Sequence, residues 1–297
     1  MSAELAVTTA EQEQAALVAR RRTRRRRRAW LAGRYALLTF LAFIILFPVY
    51  MTVVNSLLPA QRILERPPAL FPTDPEWGQY ADAWTDGKLG TYLRTSFIVT
   101  IAITIAQVIT SVLAAYAFSF LDFPLRRTTF VVFLATLMVP FEVTIITNFQ
   151  TVSDLGWLNS YQGLVVPFLA TGFGAFLLRQ AFLTLPKDLE EAARLDGYGH
   201  WRFLLRVVVP LSRPAIGALS VFSFLLAWNQ YLWPLLIADN DNYRTVQVGL
   251  RQLSRTNLSE FPATFAGTIL AALPLVILLI LFSKQLVRGL TAGAVKG

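Results

Sequence analysis

The sequence contains no cysteine and only one histidine, His200, in 297 residues. A disulfide framework, a thiolate metal site and a histidine-rich metal centre are thereby excluded, and the redox compartment leaves no mark on the chain. Charge is also scarce: charged residues make up 15% of the sequence, against about 25% in an ordinary soluble domain. Neither a GxxxxGK[ST] phosphate loop nor a complete GxGxxG fingerprint occurs, so any energy source is expected on another chain.

What the sequence has in abundance is apolar residues, 55% of the total. They fall in blocks of about 20 with few charges, the length that crosses ~30 Å of hydrocarbon at 1.5 Å per residue. Six such blocks stand at about 35–57, 93–118, 128–148, 161–182, 215–237 and 265–286. The pattern predicts an all-α polytopic membrane protein with six transmembrane helices. Between the first two blocks, Leu58 to Thr91 holds Pro67, Pro68, Pro72 and Pro75 with five acidic residues, and reads as an aqueous loop with at most short surface helices. A second loop is expected from Asp239 to Pro262, where Asn257-Leu258-Ser259 matches a glycosylation sequon by chance. The mid-span prolines Pro48, Pro167, Pro234 and Pro274 read as kinks.

The net charge is +9, but residues 1–34 carry nine arginines against Glu4, Glu11 and Glu13, so six of the nine charges sit in this arm. The run Arg20 to Arg28 directly precedes the first apolar block, and no folded basic domain surrounds it. It reads as a topology anchor at an anionic membrane surface rather than a nucleic-acid site. With the N-terminus inside, inner segments hold 20 of the 27 Lys and Arg residues and outer loops hold seven, which places both termini in the cytoplasm. The domain reading is a basic cytoplasmic arm over 1–34 and a six-span body over 35–297.

The most informative stretch lies between the fourth and fifth blocks, about 185–214, on the cytoplasmic side. Pro186 suits a first helical turn, and Asp188, Glu190 and Glu191 put negative charge where the helix dipole favours it. Ala192 and Ala193 keep one face small, Gly197 suits a left-handed helix end, and a second helix is expected from about His200 to Val209, stopped by Pro210. Two short bent helices with a small-residue face suit insertion into a cleft of another protein.

The spacing Glu191-Ala192-Ala193, Asp196-Gly197, Phe203, Pro210-Leu211 and Pro214 resembles the signature loop of permease subunits of ABC importers. The resemblance extends over about 35–297. Trp228-Asn-Gln-Tyr-Leu-Trp-Pro234 and the tail Val287 to Gly297 are similar to the carbohydrate-uptake, maltose-type branch. Leu137 to Val143 and Asn229 to Leu236 are most similar to permeases of glycerol-3-phosphate importers. The resemblance implies a type I importer fold whose cytoplasmic coupling helices dock on a separate ATPase subunit. It implies that Glu191, Ala192, Ala193, Asp196, Gly197 and Phe203 transmit closure of that ATPase, and that the tail near Lys296 reaches between the ATPases. The implied partners are a homologous second permease, two ATP-binding subunits that hold ATP and magnesium, and an extracytoplasmic solute-binding protein. The implied home is the bacterial inner membrane. The chain itself is expected to bind no cofactor or metal and to catalyse nothing. The implied cargo is glycerol 3-phosphate or a related glycerophosphodiester, with a disaccharide or oligosaccharide as the alternative.

Candidates for the solute pathway follow from polar groups in apolar blocks. Glu142 is the only acid placed within a span, where an ionisable group is costly enough to suggest function; the alternative is an end-of-span residue near water, two positions after Pro140. Asn229, Gln230 and Trp233 combine hydroxyl-bonding amides with a ring suited to stacking on a polyol, and Asn148 and Gln150 form a weaker set. Helix-to-helix hydrogen bonding is the competing role for all of them. An ion-coupled carrier is the rival class, and it would show paired intramembrane charges or interrupted helices in matching halves.

Overall fold

In a computed structural model the described residues are 2–256 and 261–291, without the side chains of 2–26, 29, 254–256 and 284–291. The tail with Lys296 and the 257–259 sequon lie outside them. The regular elements among the described residues are all helices, joined by turns and short extended segments. The chain divides into two units, residues 1–55 and 56–297.

The first unit is one helix, α1 (Ser2–Asn55), with Pro48 inside it. The basic arm is therefore helical backbone continuous with the first apolar block. Its Ala, Glu, Gln and Arg are strong helix formers, and no glycine or proline interrupts them before Gly33.

The second unit begins with two short helices in the proline-rich loop, α2 (Ala60–Ile63) and α3 (Gly78–Thr85), as the sequence predicts. Next comes α4 (Leu89–Phe120), an unbroken span. The third block is not one helix. It forms α5 (Arg126–Ala135) with a 3-10 turn over Thr136–Met138, then α6 (Phe141–Asp154) at 91° to it. Val139 is extended because a residue before proline avoids the helical region, and Pro140 opens α6.

The fourth block is α7 (Tyr161–Val165) with a 3-10 turn over Val166–Phe168, then α8 (Gly172–Phe182), bent by 44°. The carbonyls freed at this break are satisfied from α4: Gln107 Nε2 donates to Phe168 O at 3.0 Å and Thr110 Oγ1 to Leu169 O at 3.0 Å. Such rescue is what lets backbone depart from helix at membrane depth. At Gly174, α4 and α8 approach so closely that an added Cβ would stand 2.2 Å from Ser111 Oγ.

The connector holds α9 (Asp188–Leu195) and α10 (His200–Phe203), a π turn over Leu204–Val208, and α11 (Val209–Leu211). Pro210 does not end this helix. The wider π turn just ahead of it accommodates the missing N–H, and the chain turns only at Ser212, entering α12 (Arg213–Trp228) at 79°.

The fifth block also breaks. α12 stops at Trp228, and α13 (Leu232–Ile237) follows beyond Asn229-Gln230-Tyr231. Pro234 cannot donate to the carbonyl of residue 230, and Asn229 Nδ2 bonds Leu225 O at 2.8 Å, competing with the helix. The second expected loop contains α14 (Val246–Thr256), and the sixth span is α15 (Phe261–Thr291) with Pro274 inside it. Within this unit α4 is central, packing on α8 and α12, while α12 packs on α15. Among the described residues three helical segments are long and apolar enough to cross a membrane, and the count reaches up to six when each bent pair is one span.

Candidate functional site

The elbow of α9 to α11 shows how local sequence shapes an interaction surface. Three acids occupy the first turn of α9, and Glu190 pairs with Arg194 one turn on, at 2.6 Å. The helix ends in a Schellman pattern: Gly197 N–H donates to Arg194 O at 3.0 Å and Tyr198 N–H to Ala193 O at 2.8 Å. This turn requires the left-handed φ of +73° at Gly197.

The two alanines expected to share a face are separated by the fold. Ala193 is buried, in a cluster with Ala115 and Tyr116 of α4, Leu178 and Phe182 of α8, Leu219 of α12, and Phe203, Leu204 and Val208 of the elbow itself. Ala192 faces outward beside Glu191, Asp196 and Gly197, which are all exposed. Phe203 is 5% exposed and meets Phe120 edge to face at 5.3 Å. It is therefore an internal bolt and not a surface contact. His200 adds a polar fastening, its Nδ1 lying 3.0 Å from the Tyr116 hydroxyl.

Sequence reasoning missed the sockets for these bolts, Tyr116, Phe120 and Phe182, because they sit in spans read only as apolar filling. It also passed over Leu195 and Trp201, which are 90% and 67% exposed on the elbow. Large apolar groups within a charged connector were the available signal. The outward face thus combines two acids, a small residue and two apolar side chains, the composition of a protein-binding patch with a central anchor.

The pathway candidates divide. Glu142 is exposed in the first turn of α6, at the 91° break, where its charge complements the helix dipole. Asn148 is half-buried, its Nδ2 donating to Thr144 Oγ1 on the same helix at 3.2 Å, and Gln150 is exposed. Asn229 is exposed as the cap of α12. Gln230 is half-buried and its Oε1 is buried without a partner among the described residues. Trp233 is different: 2% exposed, its Nε1 donates to Gly163 O at 3.0 Å, and Phe141 and Phe168 flank it edge-on at 5.6 and 6.0 Å. Its ring is packed within this chain and presents no open face for stacking. The structure places Asn229 and Gln230 together in the break of the fifth block, while Glu142 and Asn148 belong to α6.

At the other end of α4, the loop over 239–245 is held by polar groups. Lys88 Nζ lies 2.6 Å from Asp241 Oδ2, and Arg244 pairs with the other oxygen of the same carboxylate. Thr95 donates to Asn242 O, Ser96 Oγ accepts from Val246 N–H, and Asn159 Oδ1 accepts from the N–H groups of Asp239 and Asn240. The hydrogen bond and charge of Lys88 hold the Asp241 carboxyl below its usual range, and Asp241 in turn raises Lys88.

Spans interrupted where polar side chains rescue the backbone, with one amphipathic elbow fastened beneath them, define a multi-pass transport subunit. The chain belongs to the family described as the binding-protein-dependent transport system inner membrane component, which matches residues 107–292. Interrupted helices, which the sequence reading associated with carriers, thus occur here in a permease family. Among its relatives is the sn-glycerol-3-phosphate transport system permease protein UgpE of Pectobacterium atrosepticum, 37% identical over 254 residues, 83% of this chain and 90% of that protein. The protein of the same name from Yersinia pestis is 37% identical over 83% of this chain and 91% of its own length. That of Brucella abortus is 36% identical over the same two shares. The fold is shared with a chain of a bacterial ABC transporter involved in import of the acidic polysaccharide alginate, with a TM-score of 0.79, 22% identity, and 86% and 96% of the two chains covered.

Proposed function

We propose that this chain is one of two permease subunits of an ATP-driven importer for glycerol 3-phosphate or related glycerophosphodiesters, with both termini in the cytoplasm. The observation that carries the reading is the elbow: one face is fastened to α4, α8 and α12, and the other presents Glu191, Ala192, Leu195, Asp196 and Trp201 outward. A separate ATPase subunit docks on that outer face. Because Phe203 and Ala193 lock the elbow into the buried cluster, movement of the motor is passed to the spanning helices and not lost in a flexible loop.

In this reading ATP and magnesium reside on the partner ATPases and this chain contributes no catalytic group or cofactor site. An extracytoplasmic protein delivers solute to the opposite end, and a second permease supplies the other wall. The glycerol-phosphate assignment is supported by 36–37% identity to permeases of that name over 83% of the chain. Asn229, Gln230 and Asn148 are assigned to hydroxyl contacts along the pathway, whereas Trp233 is assigned to packing.

The test is ATP turnover and uptake by the reconstituted complex with its binding protein, comparing glycerol 3-phosphate, glycerophosphocholine and a disaccharide. Stimulation by the two glycerol phosphates is expected, and stimulation by the disaccharide alone overturns the substrate. Failure of the ATPase subunit to co-purify, in a preparation whose permease is folded, overturns the coupling role.

A further inference from the structure

A cavity of about 410 Å³ is lined by Phe118 of α4, Arg126, Arg127, Phe130 and Val131 of α5, and Arg179 of α8. It lies at the elbow end of these helices, since Arg179 is less than one turn from Phe182 of the elbow cluster. An adjoining groove over 122–127 shares Arg126 and Arg127. Three arginine side chains therefore line the cavity at the elbow end of these helices. Asp122 is the one carboxylate in either lining, and it pairs with Arg126 at 3.1 Å while remaining almost fully exposed.

The other two arginines have no carboxylate among the described ion pairs. Arg179 rests over the Phe130 ring at 4.2 Å and donates from Nε to Phe118 O at 3.3 Å, which fixes its plane and leaves its terminal nitrogens outside any described hydrogen bond. Arg127 is exposed. The remaining wall is carbon, and Val131 and Val132 extend it as an exposed apolar patch on α5, each more than 60% accessible.

We propose that this cavity binds the phosphate of an anionic phospholipid. A guanidinium pair clamps a phosphodiester through paired N–H donors, and Arg is suited to this because its fork is rigid and always charged. Basic pockets between spanning helices on the cytoplasmic side suit lipid headgroups in this way. The phosphate sits between Arg127 and Arg179, the Phe130 ring and Val131 meet the upper acyl chain, and Val132 widens that apolar contact. The apolar patch is what selects a lipid over a free phosphate, which gains nothing from carbon. With the elbow in the cytoplasm, the lipid belongs to the inner leaflet.

The test uses the assembled complex in detergent, incubated with equimolar phosphatidylglycerol and phosphatidylcholine, with bound lipid counted by native mass spectrometry. Selective retention of phosphatidylglycerol is expected. Arg127→Ala, an exposed position that leaves the fold untouched, is expected to lower that retention about fivefold, the effect of one basic side chain at an anionic surface. Arg179→Gln is expected to lower it at least as much, and Arg94→Ala, at the other end of α4, to leave it within twofold. Equal retention of the two lipids, or an Arg127→Ala complex that matches the parent, overturns the proposal. So does a site that fills with inorganic phosphate and ignores phosphatidylglycerol.

Discussion

At one end of α4, Tyr116 and Phe120 enter a cluster of buried carbon that grips the elbow, with one hydroxyl-to-imidazole contact at its edge. At the other end, Lys88, Tyr92, Thr95 and Ser96 grip the loop before α14 through ions and single hydrogen bonds. Both ends also rest on buried carbon, since Leu89 and Tyr92 pack with Val246, Trp228 and Ala271, but only this second end adds a set of ions and polar bonds. Close-packed carbon resists deformation and does not titrate, so it suits an element that must pass force. Ion pairs still open to water, as Lys88 and Asp241 are, contribute little each and exchange with solvent, so the 239–245 loop is the part of this end suited to opening and reclosing. Under the proposed orientation the stiff end faces the motor and the soft end faces the solute-delivery side.

Removing the main bolt breaks the comparison most directly. Phe203→Ala deletes a buried ring from the elbow cluster, a change that costs about 3–5 kcal/mol in a packed core. The elbow should then detach from α4, so ATP turnover by the assembled complex continues while uptake falls by more than about tenfold. A variant with uptake and turnover reduced in proportion would show that the ring is not part of the transmission. Next in size is Gly174→Val, which places carbon against Ser111 Oγ where α4 and α8 touch. Overpacking of this kind costs about 1–3 kcal/mol, visible as a lower thermal midpoint in detergent. Adding Ser111→Gly should recover part of the loss, since it empties the space that the valine needs.

The soft end is probed by Asp241→Asn. The Asp241 carboxyl is held below its ordinary 3.8, so its contribution is fully present above that value and is lost as pH falls through the lower folded value. Lys88 is raised above its ordinary 10.5, so its share is present below that value and lost as pH rises past the folded one. At neutral pH the variant should melt less than about 4 °C below the parent, as expected for pairs that remain partly open to water. The gap should close in acid below pH 3.8, and Phe203→Ala should show no such pH dependence. A gap that widens in acid would contradict the assigned sign.

Much of the stiff end was readable from the sequence. Acids at the start of α9 and Gly197 at its end are local signals, and the backbone obeys them through dipole and left-handed turn. The uninterrupted spans α4 and α15 were readable too, because hydropathy and length suffice for a helix that stays whole. The breaks were not. Pro167 and Pro234 were seen as kinks and Pro140 only as a neighbour of Glu142, but whether a proline bends a helix or ends it depends on distant groups, such as Gln107 and Thr110 reaching the carbonyls of Phe168 and Leu169. Trp233 was misread for the same reason: its partners Gly163, Phe141 and Phe168 are tens of residues away. The elbow's sockets on α4 and α8 carry no mark that separates them from lipid-facing aromatics.

Glu142 offers the smallest and most discriminating effect. It stands exposed on the first turn of α6, where a carboxylate gains about 0.3–1 kcal/mol from the helix dipole. If that is its whole role, Glu142→Gln lowers stability slightly and changes the KM for glycerol 3-phosphate by less than about twofold, because no charge near the solute is altered. If the carboxylate faced the solute, like charges would repel, and neutralising it would lower KM for the dianionic glycerol 3-phosphate more than for zwitterionic glycerophosphocholine. The first outcome is expected, since an acid placed to repel its own cargo opposes uptake. Comparing KM for the two solutes separates a helix-capping charge from a pathway charge by sign, without needing a large effect.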